Sequence, residues 1–208
     1  MEPEQLGEFH YKANLFKVLS ELYKEPVPEH PDWIPALNEA VAELYPELTP
    51  FAENLEKEIA SYQLIEQNNS LMIDYAKLFV GPFDLFAPPY ASVYLEQGRQ
   101  IVGESTKKVE KFYREAGIEK AADFHQPSDH IAVELEFIYY LYYMYAETNE
   151  LRYLELLQTF VTRHLQMWIF SFTDKMKNSA GETYYRMLGE LTEQIANKEL
   201  EAVGYPVK

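Results

Sequence analysis

Residues 6–23, LGEFHYKANLFKVLSELY, decide the fold class because their apolar side chains recur every three or four positions. That spacing places them along one face of an α-helix. The apolar face contains Leu6, Phe9, Ala13, Phe16, Leu19 and Tyr23. Lys12 and the other charged residues fall outside this face, so the sequence predicts them on the solvent side. Prolines at 26, 28 and 31 then end the helix.

The same helical spacing continues through most of the chain. Prolines, glycines and an Asn-Asn pair separate the further segments. Segments with this spacing are 33–45, 51–62, 71–79, 104–116, 131–145, 151–172 and 184–195. The sequence shows no clean period-two alternation bounded by hairpin turns. We therefore expect residues 1–208 to form a single all-α domain, a bundle of roughly eight helices.

One long segment, from Gly81 to Gly103, interrupts the helical pattern. It holds three prolines and three glycines, with aromatic and large aliphatic residues between Phe83 and Leu95. Loops of this length without regular structure are uncommon in compact domains and are often functional. The pattern is equally typical of an apolar loop folded over the core, so both interpretations stay open from the residues alone.

The charge of the chain excludes some partners and favours others. The 208 residues carry a formal net charge of −16, and residues 1–150 hold 27 acidic against 11 basic side chains. Such a surface repels nucleic-acid phosphate and anionic membranes, and it suits a cationic partner. Solubility alone would also explain the charge. Any cation-seeking surface is expected within the first three quarters of the chain.

Targeting signals are not evident in the sequence. The start, Met1-Glu2-Pro3-Glu4, is acidic where a secretory signal needs a basic region. The uncharged run at 137–146 has ten residues, half of the roughly 20 that a membrane-spanning helix needs, and five of them are tyrosine. We therefore expect a cytoplasmic protein without stable membrane insertion, and we interpret this run as a core helix.

Few residues of the sequence suggest enzyme chemistry. The chain has no cysteine, no glycine-rich phosphate loop and no Glu-x-x-His motif. His130 and Glu134 could share one helix face, but two ligands do not make a metal site. Asp129-His130 is the one adjacent acid and base pair, and Ser128 before it is a plausible N-cap residue. We expect no metal, no cofactor and no enzymatic activity, while an acid/base role for Asp129 and His130 stays a minor alternative.

Two segments together resemble a known family. They are residues 78–94, LFVGPFDLFAPPYASVY, and residues 127–135, PSDHIAVEL. In this order, in an acidic helical chain of this length, they are similar to the TorD/DmsD family of redox-enzyme maturation chaperones. The later residues His164 to Trp168 also fit the closing helices of that family. We call 78–94 the first motif and 127–135 the second motif.

This resemblance implies a cofactor-free chaperone in the cytoplasm. Its partner would be the twin-arginine signal peptide and catalytic subunit of a molybdopterin oxidoreductase, held until the molybdenum cofactor is inserted and protected from premature export. The peptide-binding residues that the family implies are Pro89, Tyr90, Ser92, Pro127, Asp129 and His130. Two positions depart from the family pattern, because Tyr90 is often tryptophan in relatives and Ser128 replaces a common acidic residue.

The physical chemistry of a twin-arginine leader agrees with these positions. Its two guanidinium groups need carboxylates, and its apolar stretch needs an apolar groove. Asp129 could accept one arginine, with Glu104 or Asp84 as further acceptors. Apolar and aromatic surface for the leader is predicted at Leu85, Phe86, Tyr90 and Tyr94.

Two questions stay open in the sequence. The partner could be a non-exported molybdoenzyme subunit, as in the nitrate-reductase branch of the superfamily. The proline-rich segments 24–35 and 81–103 could act as hinges for helix exchange, so a monomer and a domain-swapped dimer are both reasonable.

Overall fold

A computed structural model of the chain describes residues 3–26, 34–63, 69–81, 85–98, 101–119 and 126–203. These ranges contain ten α-helices and no strand. They are α1 (Pro3–Leu22), α2 (Ile34–Leu44), α3 (Thr49–Gln63), α4 (Ser70–Tyr75), α5 (Ala91–Leu95), α6 (Glu104–Glu115), α7 (Ile131–Thr148), α8 (Arg152–Arg163), α9 (Ile169–Ser179) and α10 (Thr183–Val203). The all-α prediction is confirmed. That the domain extends over residues 1–208 stays a prediction.

Two features raise the number of helices above the predicted eight. The segment expected as one helix over 151–172 is divided into α8 and α9 by a short 3₁₀ turn, Leu165–Met167. His164 leaves helical geometry there, with φ −130° and ψ −67°. The second feature is α5, which lies inside the proline-rich loop and follows Tyr90 in extended geometry. A π-helical turn, Ala76–Val80, also continues α4 up to Gly81.

The helices pack around one apolar core. Helix α1 lies along α7 and α2, while α10 packs against α9 and α3. The largest fully buried side chains include Trp168, Tyr23, Tyr142, Tyr185, Phe160 and Phe172. Ring contacts such as Tyr23–Phe172 at 5.6 Å join different helices through this core. Among the helices of the described ranges, none combines the length and apolarity that crossing a bilayer requires.

Lys12 lies inside this bundle, so its predicted place on the solvent side of α1 is wrong. Its Nζ lies 3.3 Å from Glu199 Oε1 of α10, and both side chains are buried. The hydroxyl of Tyr45 donates to the same oxygen at 2.7 Å, and the hydroxyl of Tyr142 donates to Glu199 Oε2. A buried charge is tolerated when it is paired and hydrogen-bonded, as Lys12 is.

Asp74 of α4 caps the start of α10. Its Oδ1 accepts from the Gly181 N–H at 3.1 Å and its Oδ2 from the Glu182 N–H at 2.9 Å. Because both donors precede Thr183, they are among the N–H groups that a helix leaves unsatisfied. The carboxylate is buried, so water cannot replace it without rearrangement.

We therefore expect Asp74→Ala to lower the free energy of unfolding by about 1–2 kcal/mol, the usual cost of losing an N-terminal cap. Urea denaturation followed by far-UV circular dichroism measures this change. Asp174→Ala removes an exposed aspartate of α9 and serves as the matched control. It should stay within about 0.5 kcal/mol of the unmodified chain. Equal losses in the two variants would contradict the capping role.

Candidate functional site

The backbone joins the two motifs directly. The Ala91 N–H donates to the Asp129 carbonyl at 3.0 Å, and the Ile131 N–H donates to the Pro89 carbonyl at 2.8 Å. These bonds form an isolated antiparallel bridge between Tyr90 and His130. The bridge places the start of α5 beside the start of α7. Five predicted site residues therefore lie together: Pro89, Tyr90, Ser92, Asp129 and His130.

Asp129 holds the short helix α5 in place. Its side chain is fully buried, and Oδ2 accepts from the Ser92 N–H at 2.8 Å. Because Tyr90 supplies no capping side chain, this carboxylate from the second motif acts as the N-terminal cap of α5. Within the described part of the chain, Oδ1 is buried without a hydrogen-bond partner. One carboxylate oxygen thus remains able to accept a further donor.

His130, next to Asp129, has different partners. Its Nδ1 accepts from the Ala132 N–H at 3.1 Å, which makes His130 the N-cap of α7 in place of the predicted Ser128. Burial lowers the pKa of His130 to about 4, so the imidazole is neutral near pH 7. The ring of Tyr90 contacts this imidazole edge to face at 5.3 Å. This geometry gives no support to Asp129 and His130 acting as one acid/base pair.

Ser128 lies beside a carboxylate although it is not itself acidic. Its hydroxyl donates to Glu110 Oε1 of α6 at 3.0 Å, and its carbonyl accepts from the Tyr113 hydroxyl at 2.7 Å. Glu110 therefore supplies a negative charge close to the position where relatives often carry an acidic residue. The departure at Ser128 leaves the site acidic.

The rim of the first motif contains a strained backbone position. Val102 has φ +74°, in the left-handed region that β-branched residues avoid. Its N–H donates to Ser92 Oγ at 3.3 Å, and its side chain is exposed. Ser92 therefore connects Val102 to Asp129 through one residue. Strained positions of this kind cluster at functional sites.

The predicted apolar residues divide between two places. Phe86 has 55% of its side chain exposed, while Leu85 is half-buried. The N–H groups of Phe86 and Ala87 donate to carbonyls of the π-helical turn, which leaves Phe86 near the exposed Val80. Pro127 is half-buried beside Ser128.

Tyr94 lies on the other side of α5. Its ring packs against Trp168 of the α8–α9 connection at 5.6 Å and against Phe172 of α9 at 6.3 Å. Lys175 places its Nζ over the Tyr94 ring, 4.6 Å from the ring centre. The aromatic surface at Tyr94 thus already carries a cation.

The two further carboxylates have different outcomes. Glu104 is exposed at the start of α6, and its Oε1 lies 2.7 Å from Lys107 Nζ. The predicted acceptor Asp84 lies outside the described residues.

Sequence analysis missed a buried cluster beneath the joined motifs, formed by Glu134, His164 and Trp168. Glu134 Oε1 lies 2.6 Å from His164 Nε2, and Oε2 accepts from Trp168 Nε1 at 3.1 Å. All three side chains are buried. Glu134 therefore pairs with His164, and not with His130 on its own helix. The His-x-x-x-Trp spacing was present in the sequence, but it gave no sign of the partner that joins the two side chains.

Comparison with known proteins places this arrangement in a family of helical proteins. A family model described as nitrate reductase delta subunit matches residues 34–174. The chain belongs to the nitrate reductase delta subunit family. Its relatives include a Tat proofreading chaperone DmsD from Salmonella typhimurium, 30% identical over 133 residues, and a chaperone protein TorD from Shewanella loihica, 23% identical over 205 residues. The resemblance to TorD and DmsD is therefore confirmed.

These relatives are covered to different extents. The alignment with the Salmonella typhimurium DmsD spans 64% of this chain and 62% of the relative, whereas that with TorD spans 93% of each. A crystal structure of an Archaeoglobus fulgidus protein assigned to redox enzyme maturation has a TM-score of 0.55 and 19% identity, and it covers 88% of this chain and 93% of its own. This likeness shows a shared fold.

Proposed function

We propose that this protein is a cytoplasmic chaperone for a molybdopterin oxidoreductase. It binds the twin-arginine leader and the apo form of the catalytic subunit, assists cofactor insertion and prevents premature export. It does so as a binding protein, without catalysis and without a cofactor of its own. The names of its relatives, Tat proofreading chaperone DmsD and chaperone protein TorD, support this assignment.

The observation that carries the proposal is the environment of Asp129. A carboxylate that is fully buried usually has all its hydrogen-bonding capacity used. Here one oxygen caps α5 and the other is open to a donor, beneath the half-buried ring of Tyr90. A guanidinium group offers the donors and the planar face that this pair of residues would recognise. Because Asp129 is covered, a leader arginine reaches it only when Tyr90 and the bridge residues move.

The surroundings fit the rest of such a leader. Phe86 and Val80 expose apolar side chains beside the first motif, where the apolar stretch of the leader can pack. Glu110 adds negative charge next to Ser128. The net charge of −16 attracts a cationic peptide to this surface.

Titration with a synthetic twin-arginine leader tests the proposal. The fluorescent peptide carries the arginine pair followed by an apolar helix-forming stretch, and anisotropy reports its binding. Micromolar affinity is expected, because two charge-assisted contacts of about 1.5–3 kcal/mol each supply much of the roughly 8 kcal/mol required. A peptide with both arginines replaced by lysine should bind at least about tenfold more weakly. Equal affinity for both peptides would contradict arginine recognition.

A second candidate function is assembly of a molybdoenzyme subunit that is not exported. The name of the matching family, nitrate reductase delta subunit, favours it. In that case a leaderless apo-subunit binds, and replacement of twin arginines by lysine has no effect. Comparing the purified apo-subunit with and without its first residues distinguishes the two functions.

The oligomeric state is part of the same proposal. We infer a monomer or a domain-swapped dimer, because proline-rich connections flank α2 and α5. Light scattering on the purified protein, alone and with the leader peptide, distinguishes the two states.

Tyr90 offers a second test of leader recognition. Tyr90→Ala should weaken leader binding by roughly fivefold, since a cation–π contact is worth about 1 kcal/mol. Tyr90→Phe should bind nearly as well as the unmodified chain, because it retains the ring face and loses only the hydrogen bond to Gln126 Oε1, which measures 3.2 Å. Anisotropy with the leader peptide provides both affinities.

The exposed Tyr143 of α7 provides the matched control for this pair of variants. Tyr143→Ala should leave the affinity unchanged. Equal losses in Tyr90→Ala and Tyr90→Phe would assign the effect to the hydroxyl and contradict the role of the ring.

A further inference from the structure

Lys175 occupies a position that the proposed function does not explain. The surface beside the joined motifs is proposed to attract arginine, yet a lysine ammonium lies over one of its aromatic rings, Tyr94. A positive charge there repels a cationic peptide and covers a ring face that such a peptide could use. Lys175 therefore opposes binding at this ring.

The position of Lys175 is set by α9. The Phe172 N–H donates to the Trp168 carbonyl at 3.0 Å, so helical spacing already holds at the start of this helix. Trp168, Phe172 and Lys175 follow at steps of four and three, which brings them to one face. Trp168 and Phe172 are fully buried, and both pack against Tyr94. The two buried rings fix Tyr94, and the next residue on that face delivers the ammonium group.

We propose that Lys175 is an intramolecular competitor that lowers the affinity of this site for cationic peptides. A leader arginine that stacks on Tyr94 must first displace the Lys175 ammonium, so the cation–π contact inside the protein is subtracted from the one gained with the ligand. The result is a weaker and more reversible complex, which suits a chaperone that must release its partner. This inference rests on the proposed function, because it concerns binding at the same site.

Removal of the ammonium group tests the competition. Lys175→Met keeps the length and apolar character of the side chain without the charge, and it should tighten leader binding about two- to fivefold, the value of a half-exposed cation–π contact. Lys175→Arg keeps the charge and stacks on rings at least as well, so its affinity should be equal to or below that of the unmodified chain. Anisotropy with the twin-arginine peptide measures each variant.

Two controls separate competition from net charge. Lys111→Met makes the same change in charge on the exposed side of α6, where Lys111 pairs with Glu115, and should alter affinity by less than about 1.5-fold. In a Tyr94→Leu background, Lys175→Met should have no effect, because the ring for which the two cations compete is gone. Circular dichroism confirms that each variant is folded.

The outcomes distinguish this inference from the function on which it rests. Equal tightening by Lys175→Met and Lys111→Met would overturn the competition and leave net charge as the cause. Weaker binding of Lys175→Met would also overturn it, since Lys175 would then contact the leader favourably. If the unmodified chain binds no leader, the proposed function fails and this inference fails with it. Binding by the unmodified chain without a change in Lys175→Met overturns the inference alone.

Discussion

Replacing Glu134 by alanine is expected to lower the free energy of unfolding by about 3–5 kcal/mol, the usual cost of removing one partner from a buried ion pair. The carboxylate accepts from Trp168 Nε1 and pairs with His164 Nε2, and all three groups are buried. Its removal leaves two buried polar groups without an acceptor at the junction of α8 and α9. A loss of this size is a large fraction of the stability of an ordinary domain.

Urea denaturation measures this loss, and Glu136 provides a matched control on the same helix. Glu136 pairs with Lys17 at 2.5 Å, but the pair is partly exposed to solvent. Glu136→Ala should therefore cost at most about 1 kcal/mol. A cost below about 1 kcal/mol for Glu134→Ala as well would show that the buried cluster contributes little to stability.

The pH dependence of stability tests the ion pair within this cluster. Burial lowers the pKa of His164, but attraction to Glu134 and their hydrogen bond outweigh it, so the pKa lies above its usual value of 6.5. A histidine with a raised pKa in the folded state contributes its full stabilisation below 6.5 and loses it as the pH rises through the folded value. The stability difference between the unmodified chain and Glu134→Gln should thus be larger near pH 6 than near pH 9. A constant difference would contradict the ion pair.

The sequence predicts the parts of the fold that depend on local periodicity. The apolar spacing of residues 6–23 belongs to α1, and the pattern at 131–145 belongs to α7. Lys12 escapes this reasoning because its partner, Glu199, lies near the other end of the chain. Local spacing carries no information about a pairing between distant residues.

The details of the candidate site depend on non-local contacts in the same way. Helix α5 forms among prolines because Asp129, from the second motif, caps its first turn. The break between α8 and α9 turns His164 and Trp168 towards Glu134 of α7. The motifs themselves were found through their resemblance to a family, and their joining by the Tyr90–His130 bridge required the structure.

Asp129→Asn is expected to weaken binding of the twin-arginine leader by about 10- to 150-fold, the equivalent of one charge-assisted hydrogen bond of about 1.5–3 kcal/mol. The asparagine carbonyl can still accept from the Ser92 N–H, so α5 keeps its cap. The other carboxylate oxygen becomes an NH₂ group, which cannot accept from a guanidinium. Anisotropy measures the affinity, and far-UV circular dichroism should show unchanged helical content.

Glu104→Gln provides the control for charge, because it removes one carboxylate from the exposed start of α6. It should change the affinity by less than about twofold, since exposed charges are screened by salt. The comparison separates a direct contact from general attraction by the acidic surface. If Asp129→Asn binds the leader as well as the unmodified chain does, Asp129 serves only to cap α5, and the arginines of the leader must find their acceptors elsewhere, with Glu110 beside Ser128 the first to test.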